Sequence, residues 1–258
     1  MPRMRAAKFD EQMTLVEHLD ELRNRIIVSV AVLVVACGLC FWQNHLLLEI
    51  ANKPLPPHTK PITLSVTEPF MTTLKISIYA GILISLPVLL YQAYAFLLPA
   101  LKPTERRLVM PFVFLIPLLF LGGVAFSYFI VVPAALKFLV HFNQSEFNIQ
   151  LQATKYYSFL ITTLIALGLV FQIPIGIVAL TRLGIVTPEQ LSHNRRYAYL
   201  GLAVVAMLLP GTDPVTMLIE LAPLLALFEL SLILSRVVGG PAEPATAPEP
   251  EPPASPAS

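Results

Sequence analysis

Apolar residues fall along this chain in long uninterrupted runs, with no alternation. Six such runs, approximately residues 24–43, 69–98, 108–132, 156–181, 197–209 and 215–236, are separated by charged or proline-rich breaks. A helix of about 20 apolar residues crosses the hydrocarbon of a bilayer. None of the runs has the two-residue period of a barrel strand, and an open strand edge would leave backbone groups unsatisfied in lipid. The pattern predicts an all-α polytopic membrane protein with six transmembrane helices. Two runs have unusual lengths. The second would measure roughly 45 Å as one helix, so it must tilt, bend or protrude, with a kink expected at Pro87. The fifth would measure roughly 20 Å, too short for an unperturbed bilayer, so either the bilayer thins there or the protein is concave.

In the stretch MTLVEHLDELRNRI, Leu15, Leu19, Leu22 and Ile26 recur at helical spacing. They predict an amphipathic helix with Glu17, Asp20, Glu21 and Asn24 on its other face. The chain then divides into an amphipathic N-terminal segment at 1–23, a six-helix membrane domain at 24–238 and a tail at 239–258. Beyond Gly240 the tail holds only Pro, Ala, Glu, Ser and Thr, too little apolar surface to offset the entropy of ordering it, and disorder is expected. The first 22 residues mix both charge signs and have no apolar core, so the first span itself directs insertion. Of the 17 Lys and Arg, only Lys53, Lys60, Lys75, Lys137 and Lys155 fall on the side opposite the N-terminus. That asymmetry puts both termini in the cytoplasm. The proline-rich external segment NKPLPPHTKPITLSVTEP suggests an ordered cap.

Composition agrees with a membrane protein: 56% of the 258 residues are hydrophobic and 13% charged, against roughly 25% charged in a soluble domain. A net charge of +1 offers no bulk attraction for nucleic acid, which is excluded as a partner. Cys37 and Cys40 share one helix face in an apolar run and read as small packing residues, not as a redox pair. H-E-x-x-H, G-x-S-x-G and Walker A patterns are absent and the five histidines are scattered. An enzyme is not expected, nor a metal or cofactor.

The charges beside the spans need a reason, since arginines alone would orient a helix. Glu21 and Arg25 could form an ordinary i to i+4 pair on a solvated face, worth a few tenths of a kcal/mol. In LLPALKPTERRL, Pro103 and Thr104 suit a helix start and Glu105 its first turn, where an acid is favoured by the dipole. Yet Glu21 and Glu105 lie on one membrane face, and two fixed acids could bind two guanidinium groups through charge-assisted bidentate hydrogen bonds. Inside the spans, Gln172, Glu220 and Glu229 are costly enough to be candidate sites. Gln172 could satisfy backbone freed by Pro174 or contact a ligand. Glu229 could snorkel or pair with a cation, and Glu220 falls in reach of the external interface. Asp213 before Pro214 suits an N-cap.

Taken together, HLDELRNR before the first span, SLPVLLYQAYAFLLPALKPTERR through the second, FSYFIVVP in the third and FQIPIGI in the fourth resemble the TatC family. This family is the multispanning subunit of the twin-arginine protein translocase, and the resemblance runs in order over residues 13–238. It implies a concave, glove-like bundle with a shortened fifth span, in the inner membrane of a prokaryote. It implies a receptor for the twin-arginine signal peptides of folded cargo, without a cofactor. Transport would draw on the proton-motive force and on single-span TatA or TatB partners, in complexes holding more than one copy. The signal peptide would bind at Glu21 and Glu105, with Arg23, Leu22 and Phe96 beside them. Pro54, Phe70, Pro87, Tyr128 and Asp213 carry over as scaffold positions, and Met207 and Thr216 are candidates for the partner-binding edge. Where several relatives have a buried acid, this chain has Gln172.

Two rival classes remain at this stage. A small-molecule secondary transporter would use Gln172, Glu220 and Glu229 as a midplane site, although the internal repeats usual for such folds are not evident. A purely structural anchor would leave the acidic cytoplasmic patch without a role.

Overall fold

The structure, a computed structural model, describes residues 15–56, 59–97, 103–142, 145–146, 149–182, 185–211 and 213–238. The start of the N-terminal segment and the tail from 239 lie outside the described residues. The helices, in chain order, are α1 (Leu15–Trp42), α2 (Asn44–Asn52), α3 (Glu68–Leu97), α4 (Pro103–Phe126), α5 (Val132–His141), α6 (Ala153–Val170), α7 (Ile173–Arg182), α8 (Pro188–His193), α9 (Arg195–Leu208) and α10 (Pro214–Val238). Among the described residues there is no strand, only one bridge between Ile62 and Gln152. Among the described residues, five helical stretches are long and apolar enough to cross a membrane: Leu19–Trp42, Glu68–Phe96, Leu115–His141, Ala153–Thr181 and Pro214–Arg236. The expected fifth span is α9, whose 14 residues reach roughly 21 Å.

Several boundaries differ from the sequence reading, each for a physical reason. From Leu15 on, the end of the N-terminal segment and the first span form one unbroken helix, α1, so Asp20 and Glu21 ride directly on the membrane helix. The third span does not end at Pro133. A π-helical turn, Ser127–Val131, joins α4 to α5, and the Val132 N–H donates to the Ser127 carbonyl. Pro133 has no N–H to give, and the wider turn absorbs the misfit without breaking the rod. The fourth span is broken, since Phe171 and Gln172 form a turn between α6 and α7 just before Pro174. Pro87, by contrast, lies inside a continuous α3. Two short helices were not predicted: α2, which follows α1, and α8, which starts with a capping box between Thr187 and Gln190.

Small residues set how closely the spans approach. A Cβ on Gly81 of α3 would sit 2.7 Å from the Cys37 backbone of α1. Cys40 is buried and the Cys37 Sγ lies 3.6 Å from the Ile78 carbonyl, so the cysteines are packing residues of this seam. A Cβ on Gly123 would meet the Leu167 carbonyl at 2.7 Å, and one on Gly168 would meet the Phe120 ring at 2.6 Å. This is the close backbone approach that drives association where lipid offers no hydrophobic preference.

Two apolar clusters follow. One, at the end of the bundle that carries α2, gathers Ala51, Ile76, Val132, Leu136, Tyr156, Tyr157 and Leu160. The other gathers Leu167, Leu202, Ala206, Leu224, Phe228 and Leu232 under α9 and α10. Outward-facing Val34, Val35, Leu39 and Trp42 of α1 stay exposed, as lipid-facing residues should.

Replacing Gly123 by Ala forces a Cβ into backbone and is expected to cost about 1–3 kcal/mol. The neighbouring Gly122, with nothing within 4 Å of a Cβ, serves as the control. Thermal unfolding in detergent should show a lowered Tm for Gly123→Ala and none for Gly122→Ala.

Candidate functional site

Where α1 meets the end of α3, a recess of about 440 Å³ is lined by Asp20, Glu21, Asn24, Arg25, Val28 and Gln92. Glu21 and Arg25 are one helical turn apart, so their side chains meet on one face. The Arg25 Nε donates to Glu21 Oε1 at 3.0 Å, and Nη2 donates to the same oxygen. Arg25 Nη1 reaches across to α3 and donates to Gln92 Oε1 at 2.9 Å. The pair is more sheltered than a solvated surface pair, with side chains 24% and 21% exposed. The recess therefore holds a carboxylate already able to bind a guanidinium fork. Sequence reading found Glu21 but missed Gln92, whose partner lies 67 residues away.

The remaining predicted residues distribute as follows. Arg23 is exposed on α1, and Leu22 and Phe96 are half-buried. Glu105 stands in the first turn of α4, which starts at Pro103, and its side chain is outside those described. The α3 end that carries Gln92 leads into the segment before α4, so Glu105 follows on the same side of the bundle. Pro54 is half-buried after α2, and Phe70 is 59% exposed on the first turn of α3. Tyr128 anchors α2 by donating to the Ile50 carbonyl at 2.7 Å, next to Tyr156, which donates to Ala51 at 2.6 Å. These hydroxyls satisfy carbonyls that a helix end leaves open. Asp213 caps α10: its Oδ1 accepts from the Thr216 N–H at 2.8 Å. Met207 is 60% exposed on α9, whereas Thr216 is wholly buried.

The intramembrane polar residues do not converge. Gln172 is buried and its Nε2 donates to the Ile116 carbonyl at 3.1 Å, so it serves backbone of α4 and not the backbone freed by Pro174. Glu229 accepts from the Tyr199 hydroxyl and lies 3.5 Å from Arg195, a cation on α9 that the sequence reading left unnamed. Glu220 is 0% exposed, and neither carboxylate oxygen has a hydrogen-bond partner among the described residues. On α10 it stands roughly 13 Å of helix rise from Glu229. Three separate environments do not build the single midplane site that a small-molecule transporter would need.

At the end of the bundle that carries α2 lies a network that sequence reading missed. Glu68 opens α3 and is 9% exposed. Its Oε2 accepts from the Leu64 N–H at 2.6 Å, and its Oε1 accepts from Gln152 Nε2 at 3.0 Å and Thr154 Oγ1 at 2.9 Å. The Ile62 N–H donates to the Leu151 carbonyl, and the Ile62 carbonyl accepts from the Ala153 N–H, both at 2.8 Å. One carboxylate thus ties the segments before α3 and α6 together through charge-assisted bonds.

Comparison with known proteins places this geometry. A family model described as Sec-independent protein translocase protein (TatC) matches residues 17–223. The chain is 37% identical over 231 residues to the Sec-independent protein translocase protein TatC of Carboxydothermus hydrogenoformans, covering 89% of this chain and 95% of that one. It is 36% identical over 235 residues to the protein of the same description from Escherichia coli K12, covering 90% and 91%. A crystal structure of the twin arginine translocase receptor TatC in DDM superposes with a TM-score of 0.74 at 38% identity, covering 85% of this chain and 99% of that one.

Replacing Glu68 by Ala removes the acceptor shared by both segments. Hydrogen exchange of the Leu64 and Ala153 amides is expected to accelerate by about tenfold or more, with α6 amides deeper in the bundle unaffected.

Proposed function

Because the chain belongs to the TatC family of Sec-independent protein translocase proteins, we propose that the recess beside Glu21 seats an arginine of a twin-arginine signal peptide. The protein is a multi-pass inner-membrane protein and a receptor subunit of the twin-arginine translocase, part of a Tat complex with TatA and TatB. The finer statements are our own reading. The observation that carries them is Glu21 engaging a guanidinium through two nitrogens in an open recess. A carboxylate so placed is preorganised for arginine, whose planar fork matches it, and less suited to the point charge of lysine.

Glu105, at the start of α4 on the same side, is the second acid, so that two arginines meet two carboxylates. Leu22 and Phe96 supply apolar surface for the residues next to the arginine pair, and Arg23 joins Arg25 in orienting α1. Both termini then face the cytoplasm, where the signal peptide arrives. TatA-type and TatB-type single-span subunits dock along α9 and α10, where Met207, Leu208 and Leu218 are exposed. Thr216 is buried, so Met207 carries more of that edge. The short α9 favours a thinned bilayer beside it, and the proton-motive force drives the cargo across. The subunit binds and positions its cargo, with no catalytic residue in the reading and more than one copy in the complex.

The test is binding of a fluorescent twin-arginine peptide and its Lys-Lys variant to the purified full chain in detergent. Glu21→Gln and Glu105→Gln should each weaken binding of the arginine peptide by about tenfold or more. The Lys-Lys peptide should bind less well, and rising salt should weaken both. Binding unchanged in both variants would overturn the site assignment.

A further inference from the structure

Glu21 does not wait empty for a peptide, because the receptor supplies a guanidinium of its own. Arg25 gives Glu21 two of its nitrogens and gives a third to Gln92, so its fork bridges α1 and α3 inside the recess. An arginine that served only to orient a span would need neither contact. One carboxylate oxygen that already accepts twice from Arg25 offers little room for a second fork, and an incoming arginine must contend with the resident one. We propose that Arg25 is an intramolecular competitor for the signal-peptide site: it holds Glu21 in the unloaded receptor, and the peptide arginine takes that carboxylate by displacing it.

This inference rests on the reading of Glu21 as the peptide's acceptor and adds a regulatory element to it. Gln92 is the second half of the device. As a neutral acceptor on a different helix, it fixes the far end of Arg25 and so strengthens the resident's hold without changing the charge of the recess. Displacement also frees a contact between α1 and α3, so loading the site is felt by the α1–α3 seam as well as by the peptide.

Competition has a quantitative signature. A resident that must leave before any ligand binds lowers the apparent affinity of every ligand by one common factor, set by the fraction of time the site is vacant. Weakening the resident therefore strengthens arginine and lysine peptides alike and leaves their ratio unchanged. A group that instead held Glu21 in shape, or touched the peptide, would weaken binding when removed and would shift that ratio.

The experiment measures both peptides on the full chain carrying Arg25→Gln, Gln92→Leu or Glu21→Gln. Arg25→Gln should tighten both by about threefold to tenfold. Gln92→Leu, which leaves the charge intact, should tighten both by a smaller common factor. If Arg25→Gln tightens binding and Gln92→Leu does not, the gain comes from removing a positive charge and the competitor is ruled out. If Arg25→Gln leaves binding equal or weaker while Glu21→Gln abolishes it, the competitor is again ruled out and the receptor site stands. If Glu21→Gln binds as well as the parent chain, the receptor site falls and the competitor with it.

Discussion

Lipid accepts no hydrogen bond, so every polar group that this chain carries into the hydrocarbon must find its partner within the protein. Much of the architecture follows from that demand. Thr73, Ser77, Thr162, Thr163, Thr181, Ser231 and Ser235 turn their hydroxyls back onto carbonyls of their own helices. Tyr128 and Tyr156 close the open end of α2, and Gln172 serves a carbonyl of α4. Close seams at Gly81, Gly123 and Gly168 bring helices near enough for such side chains to reach their neighbours. Glu220 stands out against this background because its two carboxylate oxygens are buried without a partner among the described residues.

Around Glu21 the problem is different, since Asp20, Arg23 and Asn24 beside it are exposed and charges there need not be neutralised. The carboxylate of Glu21 nevertheless sits in a recess, paired and partly sheltered. Charge held this way is fixed in place, and an arginine that takes it must exchange with the resident Arg25. Mounting the acid on the same rigid rod that crosses the membrane also fixes it against α3, because the α1–α3 seam is among the most intimate in the bundle. The proposed recognition site is thus positioned by transmembrane packing and not by a loop.

How much of this was legible beforehand depends on distance along the chain. Five of the apolar runs, the cap at Asp213 and the packing role of the cysteines are local patterns, and the structure agrees with them among the described residues. α2 and α8 escaped notice because they are too short to show a clear helical period. The Glu68 network and the contact from Arg25 to Gln92 join residues 67 to 86 positions apart, and no single-sequence pattern reports such a pairing. The full burial of Glu220 was not legible for a related reason: counting residues from the end of a run gives depth but not which way a side chain faces. The break at Gln172 was signalled by Pro174, whereas Pro133 gave the same signal and produced a bulge.

That bulge has a geometric consequence for the whole third span. Each residue of an α-helix advances the side chains by about 100°, so one added residue turns everything beyond it by that angle. Below the bulge, Ile116, Phe120, Gly123 and Ser127 are buried at spacings of three and four; above it, Val132, Ala135 and Leu136 resume the inward face. The π turn acts as a phase shifter in a single continuous rod. It lets α4 present one set of residues to α6 and α7 and α5 another to α10, and a one-residue deletion there would rotate the upper half out of mesh with the lower.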